Sequence, residues 1–169
     1  MDRYEGFREF VLARGPALTR FAYLLTGDPG SAEELVQSAL ATVVPRWRRL
    51  AAEGNPEAYL RRVMVNDRIS RWRRWGRREV PVPDLPDAVG PDESARSVQR
   101  LDLAGALARL PVRQRAVIVL RFYEDLSEAD TAAVMGCAVG TVKSQTSAAL
   151  TRLRRLLPIL IDDATEVAR

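Results

Sequence analysis

The sequence predicts an all-α chain folded as two small helical lobes, and three observations predict it. Apolar residues recur three and four positions apart through most of the 169 residues. No segment alternates apolar and polar residues for long enough to read as a strand. Pro81, Pro83, Pro86 and Pro91 crowd one stretch that has almost no apolar period, which reads as a linker over residues 79–99.

The helices follow in order. Residues 4–25 carry Tyr4, Phe7, Phe10, Val11, Leu18, Phe21, Ala22 and Leu25 at helical spacing, with Pro16 expected to kink or divide the segment. TGDPGSAEELVQSAL starts a second helix, because Asp28 precedes Pro29 and Glu33 and Glu34 fall in the first turns. That helix is expected to reach about Arg49, with Pro45 threatening its last turns. Asn55 is a natural N-cap for a third, Pro56 its first-turn residue and Gly76 its C-terminal stop. Beyond the linker, two helices are expected at about Val98–Leu110 and Val112–Tyr123. A helix–turn–helix follows, and a short apolar and acidic tail ends the chain at 159–169.

The composition, 47% hydrophobic and 28% charged, is that of an ordinary soluble domain. No run of 18 apolar residues and no charged-then-apolar leader is present, so neither a membrane partner nor export is expected. The single Cys137 has no internal disulfide partner, which fits the cytoplasm, and in its turn it reads as a small buried hydrophobe. Histidine is absent, which removes His-based triads, His general bases and most transition-metal sites. There is no GxxxxGK[ST] and no GxGxxG, and the carboxylates are scattered. No catalytic residue, metal or cofactor is therefore expected, and the chain does not read as an enzyme.

The isoelectric point near 9.8 points to a polyanionic partner. Lys143 is the only lysine, so the basic side chains are otherwise arginines, suited to bidentate phosphate and base contacts, although a GC-rich genome gives the same bias. The charges segregate. Residues 61–78 hold Arg61, Arg62, Arg68, Arg71, Arg73, Arg74, Arg77 and Arg78 against Asp67 alone. The linker reverses this, with Glu79, Asp84, Asp87, Asp92 and Glu93 against Arg96, and no acid occurs between Thr131 and Ile161.

In SEADTAAVMGCAVGTVKSQ, the residues Ala132, Gly136 and Val142 have the spacing of a DNA-binding helix–turn–helix. The small Ala lets two helices approach, the Gly permits the turn, and the Val locks the second helix onto the first. Ser127 and Asp130 resemble a capping box for the first helix. In the second helix Val139, Val142, Thr146, Ala149 and Leu150 form the face to be buried. The opposite face carries Thr141, Ser144, Gln145, Ala148 and Thr151, which are short and uncharged. Such a face suits a major groove, where acids are repelled and Gln, Ser, Thr and Lys read base edges or hold phosphates. An ordinary α-hairpin with a lightly charged face is the alternative.

YLRRVMVNDRISRWRRWGRR offers Leu60, Val63, Met64 and Ile69 to a core, and Trp72 and Trp75 among arginines. The tryptophans could stack on unpaired bases while arginines track a backbone, or simply finish a core beside a solvated basic face. AEELVQSAL sets Leu35, Val36, Ala39 and Leu40 beside Glu34 and Gln37, which suits a bundle helix or a partner-binding face.

Together these stretches resemble the extracytoplasmic-function (ECF) group of bacterial RNA polymerase sigma factors, in its actinobacterial sigma-E-like subfamily. The resemblance covers ALTRFAYLLTGDPGSAEELVQSAL, NPEAYLRRVMVNDRISRWRR and LPVRQRAVIVLRFYEDLSEADTAAVMGCAVGTVKSQTSAALTRLRRLL, in that order. It implies a sigma-2 domain at 1–78 and a sigma-4 domain at 100–158. The AEELVQSAL helix would dock on the clamp coiled coil of the largest subunit of core polymerase through Glu34, Leu35, Gln37 and Leu40, and the flap would be a further polymerase contact. The helix from Asn55 would recognise and melt the −10 element, capturing a flipped base near Asn55 to Tyr59, with Arg62, Asn66, Arg71, Trp72 and Arg74 along the strand path. Thr141, Val142, Lys143, Ser144, Gln145, Ser147 and Arg152 would read the −35 element. The acidic linker would thread the nucleic-acid channel of polymerase, and an anti-sigma factor is a further candidate partner.

The chain departs from the family pattern at four positions. Ala138 stands where an N-capping residue is usual, Ala148 and Ala149 where a basic residue is common, and Ser70 where Asp is frequent. A stand-alone helix–turn–helix regulator of duplex operators is the alternative reading. It would carry a ligand-sensing or dimerisation domain in the first 78 residues.

Overall fold

Glycine and proline mark many of the helix boundaries among the described residues. A computed structural model describes residues 4–75 and 103–157. The linker, the expected stop at Gly76 and the tail lie outside the described residues, as does the start of the helix expected from Val98. Every regular element among the described residues is helical.

Helix α1 spans Phe7–Thr26, so Pro16 does not divide it. Proline deprives the Leu12 carbonyl of its helical donor. Leu12 and Pro16 both face solvent, where water can serve that carbonyl. Gly27, at φ +75°, ends α1 by donating its N–H to the Tyr23 carbonyl at 2.7 Å. Asp28 Oδ2 then accepts the Ser31 N–H at 2.7 Å and starts α2, Pro29–Val43.

The second helix is shorter than expected. Pro45 converts Val44–Arg46 to a 3₁₀ turn, and a separate α3 follows at Trp47–Glu53. Trp47 anchors this corner: its ring meets Phe7 edge-on at 5.1 Å, and its Nε1–H donates to the Glu5 carbonyl at 2.8 Å. Asn55 Oδ1 accepts the Ala58 N–H at 3.1 Å and opens α4, Pro56–Trp75.

In the C-terminal lobe, a helix α5, described over 103–108, precedes α6, Val112–Ile118. The segment expected as one helix to Tyr123 widens into a π turn over Val119–Tyr123, where the Glu124 N–H reaches back to the Val119 carbonyl. Asp125 follows at φ +54°, a conformation Asp tolerates. Ser127 caps α7, Glu128–Met135, by accepting the Asp130 N–H. The capping box takes a different form from the expected one, since the Ser127 hydroxyl itself donates to Asp130 Oδ2 at 2.6 Å. Gly136 turns the chain at φ +63° into α8, Val139–Leu156.

Leu18, Phe21, Leu60, Met64 and Val65 of the first lobe join Val117, Leu120, Ala132, Met135 and Val142 of the second in one apolar cluster. Each fully buried Leu or Phe contributes about 1.5–3 kcal/mol. Ala106, Leu107, Leu110, Ile118, Ala149 and Leu153 form a smaller cluster inside the C-terminal lobe. Val65 is buried although the sequence reading passed over it, and Val139, expected in the core, is 40% exposed.

Candidate nucleic-acid interface

Helix α8 presents the low-charge face the sequence predicted. Ala132 and Val142 are buried where α7 and α8 cross, and Gly136 makes the turn between them. Thr141 and Gln145 are half-buried, while Lys143, Ser144, Ser147, Ala148, Thr151 and Arg152 are exposed. Val142 is 0% exposed, which removes its side chain from the DNA-contact set: it is the lock between the two helices. Three hydroxyls on the helix are already committed as donors. Ser144 donates to the Thr141 carbonyl, Thr146 to Val142 and Thr151 to Ser147, leaving their oxygens to act as acceptors. Lys143 Nζ lies 3.7 Å from Glu128 Oε2, a solvated pair that a phosphate can displace.

Register divides the residues expected on α4. At 100° per residue, Tyr59, Arg62 and Asn66 share one stripe below the Asn55 cap, and the exposed Arg73 continues it. Sequence reading missed Arg73, although its helical spacing from Asn66 was visible. Arg71 lies on one flank, where it pairs with Asp67 at 3.0 Å, and Arg74 is beside it. Trp72, 44% exposed, lies on the other flank, in line with Arg61, Val65 and Arg68. Trp75 closes the described part of the helix. Burial, and then the neighbouring Arg71, pushes the Arg68 guanidinium below its ordinary value.

Beside this stripe, the 3₁₀ turn at Pro45 swings Arg46 onto α4, where its Nη1 donates to the Tyr59 hydroxyl at 2.9 Å. Arg46, Arg49, Leu50, Glu53 and Tyr59 line a concavity of about 350 Å³ next to the N-terminus of α4. Glu53 binds Arg49 Nε at 2.7 Å and raises its pKa above the ordinary arginine value. Thirteen residues and a helix break separate Arg46 from Tyr59, so no local pattern in the sequence joined them.

On α2, Glu34 and Gln37 are exposed and Leu40 is half-buried. Gln37 Nε2 donates to Glu33 Oε1 at 3.2 Å. Leu35 is 2% exposed, packed in the core with Ala32, Val36 and Ala39, which corrects its assignment as a surface contact. The apolar stripe of AEELVQSAL serves the bundle, and the polar stripe beside it is the free face. Among the described residues no helix is long and apolar enough to cross a membrane.

Residues 10–78 match the family description Sigma-70 region 2, and residues 100–153 match Sigma-70, region 4. The RNA polymerase sigma-E factor of Streptomyces avermitilis is 42% identical over 96% of this chain and 91% of its own length. The ECF RNA polymerase sigma factor SigM of Mycobacterium tuberculosis is 34% identical over 94% of this chain and 80% of that protein. The solved sigma factor RpoE of Bartonella quintana, in complex with the anti-sigma factor NepR, superimposes with a TM-score of 0.67. It is 31% identical, and the match covers 91% of this chain and 98% of that one. CnrH, solved with the cytosolic domain of CnrY, shares the fold at a TM-score of 0.58 and 22% identity, over 91% of this chain and 88% of its own.

Proposed function

This chain belongs to the sigma-70 family, as an actinobacterial sigma-E-like member of its ECF group, and from that premise we propose which residues carry each step of its work. It is an RNA polymerase sigma factor, whose partners are core polymerase and promoter DNA. The exposed stripe of α2, with Glu34, Gln37 and Leu40, docks on the clamp coiled coil of the largest subunit, and the C-terminal lobe meets the flap. The chain performs no chemistry of its own and acts in the cytoplasm, where polymerase is. An anti-sigma factor that withholds it from polymerase is a further partner, by analogy with the complexes of RpoE and CnrH.

The −10 element meets α4. Arg62 follows the strand backbone, Asn66 and Tyr59 face unstacked bases, and the concavity lined by Arg46, Arg49, Glu53 and Tyr59, next to the Asn55 cap, takes the flipped one. Its volume exceeds that of a nucleobase, and a cation, a phenol and a carboxylate converge on it, as base capture requires. Arg71, Arg74 and Trp72 act from the flanks. The −35 element meets α8 through Thr141, Lys143, Ser144 and Gln145, with Ser147 and Arg152 on the phosphates.

One observation carries this reading: a single chain exposes both the acid-free face of α8 and the Tyr59–Arg62–Asn66 stripe of α4. A stand-alone regulator has use for the first and none for the second. The test is reconstituted transcription with core polymerase on a pool of genomic promoter fragments. Protein-dependent run-off transcripts from a defined subset are expected. Tight duplex binding by the protein alone, with no transcripts and no complex with core, overturns the reading in favour of the regulator.

A further inference from the structure

The chain enters α8 through Ala138, Val139 and Gly140, three residues with no polar side-chain atom. Val139 is the first residue of the helix and is 40% exposed. Its spacing from Val142 is that of a core residue, yet Val142 is fully buried and Val139 is not. Scattered apolar residues are ordinary on a protein surface. The position of this one is not, because a recognition helix meets base edges with its N-terminal residues.

Two features aim Val139 outward. It stands four residues before Lys143, so the two share one face of α8, a single turn apart. Lys143 is exposed, and that face is the one it offers to DNA. Gly140, the next residue, is exposed too, and a Cβ built on it would meet nothing within 4 Å. Packing therefore does not demand a glycine there, and glycine is a poor helix former. Its effect is to leave Val139 the one bulky side chain at the tip. A valine in a helix holds essentially one χ1 rotamer, so its two methyl groups are fixed in direction before any partner arrives.

The polar groups of α8 lie further along. Ser144 has committed its hydroxyl proton to the Thr141 carbonyl at 3.0 Å, and Lys143 lies 3.7 Å from Glu128. In the major groove each base pair displays hydrogen-bonding atoms, and the one apolar group among them is the 5-methyl of thymine. Set against N7, O6, O4 or an exocyclic amine, a valine strips water and returns no hydrogen bond. Set against the thymine methyl, it buries apolar surface on both sides. We propose that Val139 is a specificity-determining residue, whose methyl groups pack on the 5-methyl of a thymine in the −35 element. The tip of α8 then selects a thymine on one strand by apolar contact, while Lys143 and Ser144 make the polar contacts one turn on.

This inference rests on the reading of α8 as the −35 helix, and its test separates the two. Holoenzyme assembled from core polymerase and the full chain is titrated with a promoter fragment identified by run-off transcription. Each thymine of the −35 duplex, on either strand, is replaced singly by deoxyuridine. That exchange removes the methyl and leaves every hydrogen-bonding group in place. The readout is the ratio of thymine to uracil affinities at each position. For the wild type, one position is expected to give a ratio of about four, the contribution of one buried methyl group. V139A should bring that ratio to near one and leave the ratios at the other positions unchanged. V139T keeps the branched shape but exchanges one methyl for a hydroxyl; it should lower the same ratio, and it keeps the test alive if V139A fails to fold. Wild-type ratios near one at every thymine overturn the proposal. So does a ratio that survives V139A unchanged, since another residue or the shape of the duplex then senses the methyl. A V139A variant that weakens thymine and uracil fragments alike also overturns it, because Val139 then serves the helix and not the base. Absence of core-dependent transcripts from the wild type would instead sink the sigma-factor reading, before any base is exchanged.

Discussion

Ala138 shows how much one residue can leave undone. It occupies the N-cap of α8 with φ −74° and ψ 152°, the extended conformation a capping residue adopts, but has no side-chain oxygen to offer. A138S should supply that acceptor to the first-turn N–H groups, raising stability by about 1 kcal/mol. The measurement is urea denaturation, with the midpoint moving up and the slope unchanged. Asp28 shows the opposite case, a cap already in place. The N–H and hydroxyl of Ser31 hold its carboxylate below the ordinary 3.8. A carboxylate depressed in the folded state stabilises above its ordinary value and loses that contribution as pH falls through the folded one. Thermal melts of wild type and D28A should therefore differ at about pH 6 and converge as pH falls below the ordinary 3.8. A gap that ignores pH would show that the cap acts through something other than the ionised carboxylate.

At the scale of the element, what was legible depended on whether its cause was local. Asp28–Pro29, Asn55–Pro56 and Ser127 each announce a helix start within four residues, and each forms the expected side-chain cap. The Ala132–Gly136–Val142 signature worked for the same reason. The break of α2 at Pro45 was half legible: the proline was visible, but not that the chain would re-enter a helix at Trp47, because the Phe7 and Phe10 rings that anchor Trp47 lie some forty residues away. Leu35 and Val142 read as contacts in the sequence because a stripe pattern does not say which boundary residues the neighbouring helix covers. On α4 the list of candidate residues was legible, but their division among three faces required the helix itself. That division is testable. R62A, on the exposed stripe, should lower the log–log salt slope of holoenzyme binding to a pre-opened bubble by about 0.7, the loss of one single-strand phosphate contact. R71A should change it by less than half as much, since Asp67 already neutralises that guanidinium. Equal effects would mean that the strand wraps the helix instead of following one stripe.

At the scale of the molecule, the sequence divided the chain correctly into helical lobes and was silent on how they meet. Arg115 Nη1 donates to the Leu25 carbonyl of α1, 90 residues away, yet in VRQRAVI the arginine is indistinguishable from a solvated one. Periodicity reports which residues seek burial, not whether the burying surface belongs to their own lobe; Val117, Leu120 and Met135 lie on elements that pack against α1 and α4. The joined state has a thermodynamic signature. With one apolar cluster spanning both lobes, the wild-type chain should melt in a single cooperative transition, its calorimetric and van't Hoff enthalpies equal. Freed from α1 and α4, the C-terminal lobe keeps its Ala106–Leu153 cluster and the Ala132–Val142 packing of α7 on α8, a core small enough to leave it marginal. R115Q should therefore split the melt in two, with the C-terminal lobe unfolding first. Differential scanning calorimetry decides the matter. A single R115Q transition, merely shifted to lower temperature, would show that Arg115 stabilises the whole body as ordinary packing does, and that the lobes do not part as units.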